Sequence, residues 1–311
     1  MTTLGFIGAS GLMGHGMAKN LLAKGHALQL TVHRNRDRVA DLLAAGATEA
    51  AHPAALSAGC ELVFICVTGS PQVEALITGP QGLLAGAASA RAADPAWPGL
   101  VIVDCSTSEP ESTTRLRALC AEAGVLLVDA PLTRTPVEAE AGKLNVMVGA
   151  EPAVFARLQP ILHGFAENVL HVGAPGAGHV VKLLNNFIAQ AICTATAEAF
   201  AVGQRAGVDL RQLVAVVSKG GANSGLFQGM AKTLDGDLAG LIFELDNARK
   251  DIRYYTHLAE NLAVPTVMGE AVHQSLVLAS ALGFGSRYVP SLVEAQEKLT
   301  GAVIVGRLPP L

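Results

Sequence analysis

The sequence predicts an α/β protein, with a doubly wound parallel-sheet domain over residues 1–175 and an all-helical domain over 176–311. Three observations predict it. Apolar runs of strand length alternate with amphipathic stretches ending in glycine throughout the first half. The runs are apolar at nearly every position, as expected of strands covered on both faces. Past the glycine-rich GAPGAG stretch (173–178), strand-like runs stop and helical patterns take over.

The predicted strands are LGFIG (4–8), LQLTV (28–32), LVFICV (62–67), LVIVD (100–104), VLLVDA (125–130) and LNVMVG (144–149), with VLHVG (169–173) closing the domain. Between them lie GHGMAKNLLAKG, RVADLLAAG and STTRLRALCAEAG, each helical in pattern and each ending in a glycine suited to a C-cap. GAASARAADPAWPG (86–99) fits neither pattern and reads as a surface excursion. In the second half, VVKLLNNFIAQAICTATAEAFAVGQRAG is apolar on nearly all sides and predicts a buried central helix. DLRQLVAVVSKG, FELDNARKDIRYYTHLAENL and GEAVHQSLVLASALG predict further helices around it.

Composition narrows the function classes. Half of the residues are hydrophobic, 15% are charged and the net charge is −4, so extended disorder is not expected. Only Arg34, Arg36 and Arg38 cluster, too few for a nucleic-acid surface. The five cysteines form no C-x-x-C pair, and the histidines show no metal-ligand spacing, so buried thiols and no metal site are expected. The N-terminus enters a strand without a signal-peptide pattern, and no uninterrupted apolar stretch reads as long enough to span a bilayer. A cytoplasmic protein without membrane or nucleic-acid partners is the expectation.

GFIGASGLMGHGMAKNLL (5–22) is a strand, a glycine turn and a helix. Gly8, Gly11 and Gly14 allow a tight turn, close approach of a pyrophosphate, and packing of helix on strand. The helix start supplies free N–H groups for the phosphates. Any tight strand-to-helix turn can use such a triplet, but here it opens a βαβ series, the context of a Rossmann-type dinucleotide site. The spacing is one residue longer than the usual form. The end of the second strand reads TVHRNRDR, with His33 and Arg34 where an NAD-binding protein normally has a carboxylate. Arg34, with Arg36 as a second candidate, suits the 2′-phosphate of NADP(H), so NADP(H) is favoured and NAD(H) is the alternative.

Two further features need explanation. Lys182 and Asn186 lie one turn apart on one face of the long apolar helix. A lone lysine there usually snorkels to solvent. The neighbouring glycines and the Asn-Asn pair instead suit a ligand at a domain junction. DAPLTRTP (129–136) sets Arg134 between Thr133 and Thr135 at the mouth of a strand; a loop arginine is ordinarily a solvated cation, so its role depends on what converges there.

On GFIGASGLMGHGMAKNLLAKGH, VDCSTSEP, DAPLTRTPVEAEAGKLNVMVGA, GAGHVVKLLNNF and FELDNARKDI, the sequence resembles the β-hydroxyacid dehydrogenase family over nearly its full length. The family includes 3-hydroxyisobutyrate dehydrogenases and tartronate semialdehyde reductases. The resemblance implies an NAD(P)-dependent enzyme interconverting a small anionic semialdehyde and its hydroxy acid, with its site in a cleft between the two domains, and a homodimer or homotetramer. Lys182 would be the catalytic acid/base, and Asn186 would orient substrate. Cofactor contacts would come from the turn Gly8, Gly11, Leu12, Met13 and Gly14, from His33, Arg34 and Asn35, and from Val67 and Thr68. Thr107 and Lys250 would complete them. Ser106 and Asp251 would join Lys182 and Asn186 at the substrate, along with Thr133, Arg134 and Thr135. Most members have Ser-Gly-Gly where this chain has Thr133-Arg134-Thr135, and in them that stretch holds the substrate carboxylate. Arg134 would therefore enter the anion pocket, in partial resemblance to the Gly-Arg-Thr stretch of sulfolactaldehyde reductases. The rival from another class is a nucleotide-binding scaffold without turnover, against which Lys182, Asn186 and Lys250 speak. Within the family the rival is an NAD-preferring 3-hydroxyisobutyrate dehydrogenase.

Overall fold

A computed structural model describes residues 3–33 and 35–306. The chain divides into two compact units, residues 1–182 and 183–311.

The first unit begins with β1 (Thr3–Ile7), α1 (Leu12–Ala23), β2 (Ala27–Thr31), α2 (Ala40–Ala44), β3 (Thr48–Ala50), α3 (Pro53–Gly59) and β4 (Leu62–Ile65). It continues with α4 (Ser70–Thr78), α5 (Leu83–Ala93), β5 (Leu100–Asp104), α6 (Pro110–Glu122), β6 (Val125–Asp129) and β7 (Leu132–Thr133). α7 (Pro136–Glu140), β8 (Leu144–Gly149), α8 (Pro152–Leu162) and β9 (Ala166–Gly173) complete the sheet domain. Strands pair in the order β3-β2-β1-β4-β5-β6, all parallel. The order reverses direction between β1 and β4, the switch point outside which ligands of doubly wound sheets bind.

Alternation along each strand explains why the runs are apolar throughout. Leu4 and Phe6, Leu62 and Phe64, and Val101 and Val103 feed one core cluster. Ile7, Val63 and Ile65, and Leu100 and Ile102 feed a second. Side chains on successive residues point to opposite faces, so both faces are dry. Phe64 stacks edge-on to Phe165 with ring centroids 5.6 Å apart, which ties β4 to the segment before β9.

Two expectations are corrected here. LNVMVG is a strand, but β8 runs antiparallel to β6 and β7 and parallel only to β9. Asp129 pairs with Gly149, Leu132 with Val146 and Thr133 with Asn145, so the chain after β6 continues past the parallel strands' carboxyl edge along β8. Residues 86–93 belong to α5 and are not a surface excursion. Leu83 and Ala87 of α5 are buried in the second core cluster. Alanine is the best helix former, and its small side chain lets α5 lie close on α3. Only residues 94–99 lie outside regular structure, and Trp97 packs against that same core.

α9 (Ala177–Arg205) is the long helix foreseen in the sequence, and the division between units falls within it. The second unit adds α10 (Leu210–Ser218), α11 (Gly225–Ala231), α12 (Leu245–Asn261), α13 (Val267–Ala279) and α14 (Leu292–Thr300). Cys193, Ala197, Phe200 and Ala201 of α9 lie in its core with Leu245, Ile252 and Leu276. The helix is less buried than expected, since Leu184, Ile188 and Val202 are 44%, 58% and 68% exposed. Its 29 residues are also long and apolar enough to cross a membrane by length and composition, contrary to the sequence reading. Its buried flank is the core of the helical unit, which accounts for that hydropathy without a bilayer.

Candidate active site

Register builds the first part of the site. Thr31, Ile7, Ile65, Asp104 and Asp129 are consecutive cross-strand partners, so β2, β1, β4, β5 and β6 end in one row. The residues that follow, including Gly8, His33, Val67, Thr68, Ser106 and Thr107, therefore leave the sheet at one edge.

Gly8 has φ +98°, and a Cβ there would lie 2.1 Å from the Cys66 carbonyl oxygen beyond β4. A Cβ on Gly14 would lie 2.2 Å from the Gly8 carbonyl oxygen. Only glycine fits either place, so the extra residue in the spacing leaves a close-packed turn. The first helical bond of α1 runs from the His15 N–H to the Gly11 carbonyl, at 3.0 Å. The N–H groups of Leu12, Met13 and Gly14 precede it and lack helical acceptors, and Gly11 has no side chain to cap them. Such a helix start favours an anion, and the cradle fits a dinucleotide pyrophosphate.

His33 and Asn35 are exposed beyond β2. Arg34, the candidate phosphate ligand, lies outside the described residues. Arg36 pairs with Glu49 of β3, so the second candidate cation already has a carboxylate partner. The buried Ser106 hydroxyl accepts the Val67 N–H at 3.0 Å, which joins the turns after β4 and β5. Thr68 is exposed and Thr107 half-buried beside that junction. Burial, with Asp104 adding to it, pushes the Cys66 thiol up to about 12, and burial likewise raises Cys105 well above the ordinary thiol range. Neither is a thiolate nucleophile at neutral pH.

The 133–135 stretch lies past the sheet edge. Arg134 has φ +80°, the left-handed conformation that glycine adopts freely. The chain thus keeps a glycine backbone while carrying an arginine, a strain typical of functional positions. One guanidinium nitrogen donates to the Lys143 carbonyl and to Glu167 Oε2, each at 2.5 Å. The expected open anion ligand is therefore held by a resident carboxylate. Thr135 also departs from expectation: it is the N-cap of α7, in a capping box with Glu138. Its hydroxyl is spent on the helix start. Thr133 Oγ1 accepts from Asn145 Nδ2 at 3.0 Å.

Lys182 is half-buried on α9. Asn186 follows four residues later on the same helix face and is 6% exposed. Within the helical unit, Asn186 Nδ2 donates to Asp251 Oδ2 at 2.6 Å, and its Oδ1 accepts from Asn185 at 3.0 Å. Phe187 stacks on Tyr255 with centroids 4.3 Å apart, which brings α9 and α12 together there. Asp251 is 2% exposed and pairs with Lys250 Nζ at 2.8 Å. Lys250 also lies over the Tyr254 ring, 5.0 Å from its centroid. Asp251 holds the Asn186 amide.

Sequence reasoning missed the buried residues behind the site. Asp104 and Asp129 end apolar strands, and a carboxylate there was the available signal. Both are buried and bonded: Asp104 accepts the Ser106 N–H and the Ser108 hydroxyl, each at 2.9 Å. Asp129 accepts the N–H groups of Gly176 and His179 at 2.7 and 3.1 Å, capping the start of α9.

Comparison with known proteins agrees with this fold. Residues 3–173 match the family described as the NAD binding domain of 6-phosphogluconate dehydrogenase. Residues 176–294 match the one described as NAD-binding of NADP-dependent 3-hydroxyisobutyrate dehydrogenase. The chain is 31% identical over 308 residues to 2-(hydroxymethyl)glutarate dehydrogenase of Eubacterium barkeri, covering 97% of each chain. It is 30% identical to 3-sulfolactaldehyde reductase of Escherichia coli K12, over 94% of this chain and 95% of the relative. The crystal structure of a 3-hydroxyisobutyrate dehydrogenase from Salmonella typhimurium superposes with a TM-score of 0.79 at 27% identity, over 94% of this chain and 99% of that one. Fold and site thus define an NAD(P)-binding oxidoreductase. The chain belongs to the β-hydroxyacid dehydrogenase family.

Proposed function

We propose that this protein interconverts a small anionic semialdehyde and its hydroxy acid, with NADP(H) favoured as cofactor and Lys182 as general acid/base. The observation that carries the reading is the placement of Lys182 and Asn186 one turn apart on α9, with the Asn186 amide fixed by a buried carboxylate. A scaffold that only bound nucleotide would have no use for an amide oriented one turn from a lysine.

The bound nicotinamide would supply or accept the hydride at the carbonyl carbon. Charge then develops on the carbonyl oxygen, and the Lys182 ammonium gives that oxygen its proton and stabilises it meanwhile. In the oxidative direction the neutral amine takes the hydroxyl proton. Asn186 orients the reacting hydroxyl or carbonyl, and Asp251 keeps its amide from turning. Ser106 holds the Val67 turn, and Thr68, Thr107 and Lys250 would be further cofactor ligands.

The substrate's acid group belongs at the Thr133–Arg134 stretch. A guanidinium fork suits a carboxylate or a sulfonate, and an incoming anion competes with Glu167 for it. The relation to a sulfolactaldehyde reductase supports such a substrate. The favoured NADP(H) rests on Arg34 replacing the usual acid after β2; with Arg36 paired to Glu49, Arg34 carries that preference alone. We place the protein in the cytoplasm as a homodimer or homotetramer, and the exposed Leu184, Ile188 and Val202 of α9 support self-association. Assaying small semialdehydes and hydroxy acids with NADPH, NADH, NADP and NAD tests the reading. Turnover of an anionic pair, faster with the phosphorylated cofactor, is expected; turnover of neutral aldehydes only would contradict it.

A further inference from the structure

We propose that His179 is a positioning residue for Lys182, acting through Asp104. The proposal rests on the acid/base role given to Lys182 above. His179 sits in the first turn of α9, three residues before Lys182 and about 60° away around the helix. It is fully buried.

Its two ring nitrogens meet different partners. Nδ1 lies 2.7 Å from Thr113 Oγ1 on α6. The Thr113 hydroxyl has one proton and can turn it to Nδ1 instead of to the Glu109 carbonyl 3.1 Å away, which leaves Nε2 as the ring's N–H, on the side of the Asp104 carboxylate. Nε2 lies 3.6 Å from Asp104 Oδ2 and has no hydrogen-bond partner. That separation is too long for a hydrogen bond, yet the Nε2–H dipole and the carboxylate attract each other across it. A ring needed only to fill space has no reason to aim its second nitrogen at a buried carboxylate.

The same carboxylate shapes the 106–108 turn by accepting the Ser106 N–H and the Ser108 hydroxyl. Ser106 in turn holds the Val67 N–H. Asp129, the register partner of Asp104, caps α9 through the backbone N–H groups of Gly176 and His179. Two neighbouring strand ends therefore grip one helical turn, the Asp129 carboxylate at the Gly176 and His179 N–H groups and Asp104 through the His179 ring. The grip fixes the rotation of α9 about its axis, and with it the direction of Lys182 relative to the cofactor-side turns. Loss of the ring's second contact leaves the cap intact and frees that rotation.

Side-chain length tells the two nitrogens apart. In His179→Gln the amide reaches the place of Nε2 and faces Asp104. In His179→Asn it reaches only the place of Nδ1 and keeps Thr113, while His179→Leu keeps bulk alone. In the full-length protein, kcat should fall ~10-fold or more in the Asn and Leu variants and stay within ~3-fold in the Gln variant, the scale of a small misplacement of a catalytic group. The Michaelis constant and the NADPH dissociation constant should change little. The Asn and Gln variants should melt at similar temperatures, so that kcat follows reach rather than stability. Wild-type kcat in all folded variants, kcat that tracks melting temperature, or rescue by Asn rather than Gln would each overturn the proposal. Lys182→Ala, run alongside, separates the two claims: retained turnover there removes the acid/base reading, whereas its loss with fully active His179 variants removes only the positioning role.

Discussion

Arg134 concentrates the chemistry in which this chain departs from its family. It keeps a glycine conformation at φ +80° and lays its guanidinium on Glu167. In the proposed role of substrate clamp it would lose a charge-assisted contact on truncation, so Arg134→Gly should raise the Michaelis constant of the anionic substrate ~10-fold or more. Neutral aldehydes and NADPH should be affected little. Comparing the two substrate classes in wild type and variant checks this, and an unchanged ratio would reduce Arg134 to a surface partner of Glu167. Arg34→Ala should weaken NADPH by ~1.5–3 kcal/mol and NADH far less, because a 2′-phosphate contact is lost only with the former. Equal losses in titrations with both cofactors would sink the phosphate clamp. The motif residues at these positions were legible in the sequence because each is a type placed against its surroundings. The commitment of Thr135 to a cap and of Arg134 to Glu167 was not, because both depend on partners that only the folded chain brings near.

Element by element, strands were the most readable feature, since dry faces demand unbroken apolar runs. The direction of β8 escaped because an antiparallel strand covered on both sides is apolar in the same way as a parallel one. Helix α5 escaped because alanine and glycine carry little amphipathic signal, although alanine favours the helix. Helix α1 bears a cluster whose effect can be measured. His15 Nδ1 bonds Glu140 of α7 at 2.6 Å, and Nε2 bonds Asp41 of α2 at 3.1 Å. Desolvation lowers the His15 pKa, but the bonds to Glu140 and Asp41 outweigh it and the net shift is upward. Desolvation likewise opposes the net lowering of Glu140, which comes from its bonds to His15 and Lys19. Asp41 is lowered by its bond to His15. The histidine's contribution is complete below its unfolded pKa and is lost as pH rises through the raised folded value; the carboxylates' contribution is lost as pH falls through their lowered values. The cluster therefore stabilises most between these limits, near pH ~5–6. His15→Gln should lower the melting temperature by about 1–3 °C there, as suits a partly exposed ion pair, with a smaller deficit at pH ~8.5. A deficit that grew toward high pH would contradict the assignment.

On the scale of the whole chain, composition and pattern revealed two units and their order, and the resemblance gave the chemistry. The exposed apolar positions of α9 were not foreseen, because a helix apolar all round reads as buried whether its cover comes from this chain or another. Sedimentation should show a dimer or tetramer, and a monomer at micromolar concentration would leave that surface unexplained. The central claim is that this family member turns over an anionic semialdehyde with Lys182 as its acid/base. The most direct test is NADPH consumption by wild type and Lys182→Ala on the best anionic semialdehyde, with NADPH affinity measured in both. The predicted result is a loss of turnover by a factor of ~10²–10⁴ at nearly unchanged NADPH affinity. Wild-type turnover in the variant would contradict the account.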